Sequence, residues 1–163
     1  MSFVIFGALV LAAIGSGIIG GIYFAFSTFI MRAFADIPRE HGIDAMNAIN
    51  RVIVRSLFLP LFFGSAILSL FLIAAWWFGW GDLRSGYALA GALLYFVTSF
   101  VSTVVFNVPL NNELARTGAA SPEGETVWAR YLQRWTQWNH LRTVTSLLAA
   151  IAFAIAAAEQ EMA

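Results

Sequence analysis

Four long stretches of this chain contain no charged residue, and this pattern constrains the fold more than any other feature. They run over residues 1–31, 56–81, 85–112 and 143–158. A helix of about 20 residues, rising ~1.5 Å per residue, crosses the ~30 Å hydrocarbon core of a bilayer. The first three stretches are long enough, and a weakly charged helical pattern from Trp135 onwards lengthens the fourth. The sequence therefore predicts four membrane spans. We place them at about residues 4–31, 56–80, 86–108 and 135–158.

The composition agrees with an integral membrane protein. Hydrophobic residues make up 60% of the chain and charged residues 11%, whereas a soluble domain has roughly 25% charged residues. With 163 residues and short connections, we expect a single transmembrane domain over residues 1–163, an all-α, integral membrane four-helix bundle. Its surroundings are the lipid bilayer, and nothing in the sequence supports nucleic-acid binding. Because cysteine is absent from the sequence, disulfides, thiolate nucleophiles and cysteine-bound metals are excluded.

Arginine is unevenly distributed between the intervals that separate the spans, and the chain has no lysine. The intervals after the first and third spans carry eight of the nine arginines. These are Arg32, Arg39, Arg51, Arg55, Arg116, Arg130, Arg134 and Arg142. The opposite side has only Arg84. Since cytoplasmic loops carry the excess of arginine in membrane proteins, we expect a multi-pass protein of the cell's inner (plasma) membrane with both termini noncytoplasmic.

Small residues recur at every fourth position of the first span. Ala13, Gly17, Gly21 and Ala25 would fall on one helix face and let another helix approach closely. We expect this face to serve packing, and its Gly17/Gly21 surface would also suit an oligomer contact.

The two halves of the chain are similar in plan. Each has an apolar helix, a polar exit, a cytoplasmic segment, and an Asn and an Arg just before the next apolar helix. The exits are residues 24–34 and 105–115, and the re-entries are 49–55 and 138–142. This plan predicts two similar helical hairpins related by an axis along the membrane normal, which would bring the polar ends of both together.

Several polar residues collect at these ends. Asn139 and Arg142 share a helix face at a spacing of three, together with Trp135. His140 projects ~100° away from Asn139, towards a neighbouring wall of the same region.

The third span ends with two further candidates. Asn107 and Asn111 would share a helix face if the helix continued, but Pro109 favours a distorted or unwound end. Asn50 is the counterpart of these amides in the first half.

Each candidate also has a purely structural interpretation. Arg55 and Arg142 could be snorkelling arginines that set topology, and His140 an interfacial histidine. The asparagines could be interhelical hydrogen-bond or capping groups. The only other histidine, His41, lies in a polar segment that we treat as a loop, so a bis-histidine haem or a histidine-rich metal site would be hard to build. We expect no metal ligands and no cofactor.

Four segments together resemble a known family. They are GIYFAFSTFIM (residues 21–31), AINRVIVRSLF (48–58), FNVPLNNELA (106–115) and RWTQWNHLRT (134–143). They are similar to the anthrone oxygenase-like family of small four-helix membrane proteins, with NVPLNN and WNHLRT the most specific motifs. The resemblance implies a four-helix membrane fold. For the characterised members it also implies cofactor-independent oxidation of an anthrone to an anthraquinone during polyketide tailoring.

On the matching positions the resemblance points to Asn107, Asn111, Trp135, Asn139, His140 and Arg142, with Asn50 as a further candidate. The chemistry of these groups suits the reaction: His140 would act as the general base that removes an acidic CH proton, while Arg142 with Asn139 or Asn107 would stabilise the developing oxyanion. The substrate-binding candidates are Asn107, Asn111, Trp135, Trp138 and Asn50. We expect these side chains to line one pocket near the cytoplasmic ends of the third and fourth spans, with Trp135 and Trp138 sandwiching a planar ring.

Two functions of different classes fit these residues. The first is an oxidoreductase, a cofactor-independent monooxygenase acting on a planar lipophilic substrate that is anthrone-like or quinone-like. The second is a noncatalytic protein that binds a small molecule or lipid, or an accessory subunit of a membrane complex. A closed, aromatic-lined cavity that reaches His140 and Arg142 would favour the first, and side chains turned to the headgroups would favour the second.

Overall fold

The protein is an all-α membrane bundle. The computed structural model describes residues 2–162, so Met1 and Ala163, the ends of the expected domain, lie outside the described residues. The main helices are α1 (Ser2–Asp36), α2 (Arg39–Ile53), α3 (Phe58–Phe78), α4 (Gly86–Arg116) and α5 (Pro122–Met162). Four of these, all except α2, are long and apolar enough to cross a membrane. The residues described contain no β-strand. The prediction of a multi-pass, four-helix membrane fold is confirmed.

The helices run further than the charge-free stretches. Helix α1 continues to Asp36 and ends where Ile37 is extended in front of Pro38. Helix α5 is a single helix from Pro122, as a serine cap followed by proline predicts: the Ser121 hydroxyl accepts a hydrogen bond from the Gly124 backbone N–H at 3.0 Å. Polar residues of the helix ends therefore extend the spans towards the arginine-rich side.

Helix α4 passes through Pro109 without unwinding. The expected distortion takes the form of π-helical segments, Leu94–Val101 and Thr103–Asn107, followed by the regular segment Val108–Arg116. Pro109 lies in the first turn of that last segment, where a missing backbone N–H is tolerated. A shorter π-helical segment, Phe26–Ile30, lies within α1.

Helix α2 corrects the sequence analysis, which treated this interval as a loop. Its apolar residues follow helical spacing, so Ile43 and Met46 are buried while His41 is exposed. They pack in a cluster with residues of α1, α4 and α5, including Phe26, Leu114 and Trp128. The amphipathic helix thus covers one end of the bundle.

The closest contacts between α1 and the other helices do not follow the predicted row of small residues, Ala13, Gly17, Gly21 and Ala25. A Cβ added at Gly20 would lie 2.9 Å from Leu147 Cδ2 on α5, and Gly15 faces the Ser65 side chain on α3. At Gly17 a Cβ would be 3.8 Å from the Cβ of Ala150, and at Gly21 it would meet nothing within 4 Å in the described chain. The expectation of close packing at Gly21 is therefore wrong, because a neighbouring face of the helix is the buried one. An oligomer through the Gly17/Gly21 surface stays a prediction.

The described ends of the chain lie together on the side of the bundle opposite α2. Ser2 and Glu161 border one shallow depression, and the Gln160 side chain donates a hydrogen bond to the Gly81 carbonyl at 2.9 Å. Seven arginines lie at the other end, exposed or half-buried, whereas Arg142 turns into the bundle. The predicted orientation thus rests on seven arginines at one end of the bundle against one, Arg84, at the other.

Both termini should be noncytoplasmic, because the arginine-rich end belongs on the cytoplasmic side. Alkaline phosphatase fused after Ala163 should be active in cells, and green fluorescent protein fused there should be dark. Fusions after Gly118, in the α4–α5 connection, should show the reverse pattern. Phosphatase activity only at Gly118 would contradict this orientation.

Substitution of Gly42 should test the docking of α2. A Cβ at this position would lie 2.7 Å from the Phe34 carbonyl oxygen and 2.9 Å from Trp128 Cζ2. Since a backbone oxygen cannot move without shifting α1, Gly42→Ala should destabilise the protein by about 1–3 kcal/mol. The measurement is the thermal midpoint of the detergent-solubilised protein. Gly21→Ala is the matched control and should not lower the midpoint. Equal midpoints for the two variants would contradict the packing described.

Candidate functional site

Arg142 lies inside the bundle with 3% of its surface exposed. Its Nη2 donates a hydrogen bond to Asn139 Oδ1 at 2.7 Å, and its Nη1 donates to Thr103 Oγ1 at 3.1 Å. The guanidinium carbon lies 4.2 Å from the centroid of the Tyr23 ring and 5.1 Å from that of the Trp135 ring. Neutral hydrogen-bond acceptors and ring faces thus surround the cation.

No carboxylate neutralises this arginine within residues 2–162. The ion pairs there join Arg39 to Glu125 and Arg130 to Glu113, both at the surface. In the same part of the chain, Arg142 Nε has no hydrogen-bond partner. Removing a cation from water costs several kcal/mol even after relaxation. An arginine left unpaired at this depth is therefore placed to interact with an anionic or strongly polar oxygen.

Asn139 holds the arginine from behind. Its Nδ2 donates hydrogen bonds to the Tyr23 carbonyl and to Ser27 Oγ, each at 2.7 Å. Its Oδ1 accepts the hydrogen bond from Arg142 Nη2. The residue is fully buried. Tyr23 and Ser27 lie at the point where α1 changes to π-helical geometry, a local change common at functional sites. Asn139 consequently ties α5 to α1 and fixes the side-chain position of Arg142.

A cavity of about 230 Å³ opens in front of the guanidinium, with walls from all five helices. Its aromatic lining consists of Tyr23, Phe26, Phe58, Phe62, Phe63 and Trp135. Its polar lining consists of Asn50, Thr103, Asn111 and Arg142, and the rest is aliphatic or Met46. The volume is smaller than that of most small-molecule sites, about 300–1,000 Å³, but the lining has their usual character, mostly apolar with a few placed polar groups.

The unsatisfied polar atoms around this cavity are nearly all hydrogen-bond donors. Within residues 2–162, hydrogen-bond partners are lacking for four of these atoms: Asn50 Nδ2, Trp135 Nε1, Arg142 Nε and the Tyr23 hydroxyl oxygen. The side-chain oxygen of Asn111 is already engaged, because it accepts a hydrogen bond from the Tyr131 hydroxyl at 2.7 Å. A ligand that satisfies the cavity must therefore bring acceptor oxygens.

The structure brings together some of the residues that the sequence predicted. Arg142, Trp135, Asn111 and Asn50 line the cavity, and Asn139 lies directly behind Arg142. The prediction that Trp135, Asn139 and Arg142 share one helix face is confirmed, since all three are buried along the single helix α5.

Three other predicted residues do not line this cavity, which corrects the expectation of one shared pocket. His140 is exposed, because it projects ~100° from the buried face that Asn139 occupies. Trp138 stacks on Phe106, with ring centroids 3.7 Å apart, and cannot sandwich a ring against Trp135. Asn107 is buried beside the site, where its Nδ2 donates to the Trp135 carbonyl at 3.3 Å.

Two residues of the site were missed as candidates. Tyr23 lies against Arg142, and its position four residues before Ser27 on α1 was the available signal. Thr103, which accepts a hydrogen bond from Arg142, appeared in the sequence only as one of several helix hydroxyls. Its direction depends on the π-helical register of α4, which spacing alone does not reveal.

Comparison with known proteins gives one family. A family model described as anthrone oxygenase matches residues 55–152, more than half of the 163-residue chain. The match includes Asn111, Trp135, Asn139 and Arg142, whereas Tyr23 and Asn50 lie before it. Neither a curated protein nor a solved structure matches the chain.

Asn139 should contribute strongly to stability, and its neighbour His140 should not. Asn139→Ala removes two donated hydrogen bonds and the partner of Arg142 Nη2, so a cost of about 1–3 kcal/mol is expected. His140→Ala, the adjacent control, changes an exposed side chain and should stay within about 0.5 kcal/mol of the parent protein. Thermal unfolding in detergent measures both. A larger loss for His140→Ala would contradict these helix faces.

Proposed function

The chain belongs to the anthrone oxygenase family, and on that premise we propose that it oxidises a planar lipophilic substrate, anthrone-like or quinone-like, in the membrane and without a cofactor. The observation that carries the proposal is the buried, carboxylate-free guanidinium of Arg142 at the inner end of an aromatic cavity. Arg142 acts at the reacting end, Asn139 holds it in position from behind, and Asn50, Asn111 and Trp135 bind the substrate.

The proposed reaction suits a site that provides electrostatic stabilisation. The acidic CH of an anthrone loses a proton, which passes to water because none of the described lining residues is a base, and a delocalised anion remains whose charge rests largely on the ring oxygen. Arg142 lowers the free energy of that anion, because fixed donors and charges act strongly where water is excluded. The electron-rich anion then transfers electrons to dioxygen, the co-reactant of the proposal.

Atoms and electrons balance in this scheme. The methylene carbon loses two hydrogens and gains one oxygen atom from dioxygen. The second oxygen atom leaves as water with both hydrogens. Four electrons pass from the carbon to dioxygen, so the substrate itself supplies all of the reducing equivalents.

His140 does not serve as the general base in the proposed reaction. Its side chain is exposed and lies outside the cavity lining, whereas proton abstraction requires hydrogen-bond reach of the reacting CH. The donors that do reach the cavity stabilise the product of deprotonation instead. The acidity of the substrate is therefore raised by stabilising its anion.

Arg142→Met should abolish most of the activity and leave the bundle folded. The purified protein, in nanodiscs with chelator present, would be given anthrone in air, and anthraquinone formation and oxygen uptake followed against the uncatalysed rate. Loss of one oxyanion donor typically lowers kcat about 10²–10³-fold. His140→Gln is the control and should keep the parental rate and pH profile.

The same preparation separates the two classes of function. Binding of anthraquinone, followed by quenching of tryptophan fluorescence, without any oxidation of anthrone would support a noncatalytic binding protein. Full oxidation by Arg142→Met would refute the proposed mechanism. That variant should fold with a lowered thermal midpoint, because methionine is apolar and Thr103 Oγ1 still donates to the Ser99 carbonyl, whereas the buried Asn139 Oδ1 loses its donor.

A further inference from the structure

The cavity of Arg142 has a mouth on the outer surface of the bundle. Among its lining residues, Val54, Phe63, Val104 and Val108 are exposed, with between 39% and 52% of each surface accessible. Val54 belongs to the α2–α3 connection, Phe63 to α3, and the two other valines to α4. The mouth therefore lies between the first turns of α3 and the part of α4 where its π-helical geometry ends and the regular helix resumes.

From this position we propose that the cavity is loaded from within the bilayer, by an uncharged, lipid-dissolved ring compound that carries acceptor oxygens. The inference rests on the function proposed above, since it treats the cavity as the ligand site. Phe63, Val104 and Val108 lie in segments that span the membrane, so their exposed surfaces face lipid. None of the four mouth residues has a polar side chain, and an ionised ligand would lose its hydration there without compensation.

The depth of the mouth fits such a ligand. Arg51 and Arg55, which are both exposed, lie on either side of Val54 in the sequence, and arginines at this distance from a span extend to the phosphate region. The mouth thus lies just inside the headgroups of the leaflet that α2 contacts. Ring compounds with one polar edge concentrate at this boundary, as tryptophan and tyrosine side chains do.

The route also explains the distribution of polarity within the cavity. Apolar side chains at the mouth admit the neutral form of the ligand. Three of the four unsatisfied donors lie further in, at Tyr23, Trp135 and Arg142, which are each at most 5% exposed. A ligand that slides in edge first would meet its hydrogen-bond donors only after leaving the lipid.

Enlarging the mouth residues should slow entry and exit equally. In nanodiscs, the association of anthraquinone would be followed by stopped-flow quenching of Trp135 fluorescence, with Trp135→Phe giving the background from the other tryptophans. Val104→Phe and Val108→Phe should each lower the association and dissociation rates at least tenfold and leave Kd within about twofold. Val97→Phe is the matched control, since Val97 is an exposed valine of α4 outside the cavity. Its rates should be parental.

A second measurement distinguishes the lipid route from entry through water. Anthraquinone-2-sulfonate, a permanently charged analogue that does not dissolve in the hydrocarbon, should associate at least tenfold more slowly than anthraquinone when the two are compared at equal concentrations in the water. Parental rates in both mouth variants, or a sulfonate that associates as fast as anthraquinone, would overturn the inference.

These outcomes are separable from failure of the proposed function. Arg142→Met should raise Kd mainly through faster dissociation, because the mouth is unchanged. A protein that oxidises no anthrone but shows the paired rate changes at the mouth would retain the lipid route and lose only the catalytic proposal.

Discussion

The burial of the Arg142 charge without a carboxylate is the constraint on which the interior of this bundle depends. A guanidinium at membrane depth must be held by hydrogen bonds or ring faces, and Asn139, Thr103, Tyr23 and Trp135 provide them from three helices. All four partners are neutral, so they hold the charge in place without cancelling it. A buried carboxylate beside the guanidinium would have cancelled the field that a ligand can use.

The site is completed by parts of the chain that are not regular membrane helices. The π-helical segment of α1 lies beside Tyr23, whose backbone carbonyl accepts a hydrogen bond from the Asn139 side chain. A π-helical segment of α4 contains Thr103. Helix α2 then closes the arginine-rich end with Met46 and Asn50, both in the cavity wall. The regular parts of the spans place the site within the membrane and surround it with apolar side chains. The π-helical segments and α2 orient its polar side chains. Such a division is expected where a membrane bundle must bury polar groups and still leave room for a ligand.

Much of the fold could be read from the sequence because charge is so costly in lipid. The uncharged stretches predicted the four spans, and the spacing of Asn139 and Arg142 predicted their shared face. Which face of a span turns inward could not be read, since Gly20 rather than Gly21 meets another helix. Helix α2 was missed because its polar half resembles a loop and its burial depends on distant partners such as Trp128.

The position of a side chain around its helix explains why the cavity contains Arg142 and not His140. A histidine beside a polar stripe fits a general base by chemistry alone, but one residue of displacement on a helix moves a side chain to another face. Arg142 had few alternatives once the helix was in lipid, because an outward orientation at that depth would leave its charge unsolvated. In the function that we propose, selectivity at such a site follows from proton affinity. A ligand must be a weak enough acid to stay neutral in the mouth and a strong enough one to ionise beside a guanidinium, as a CH flanked by aromatic rings and a carbonyl is.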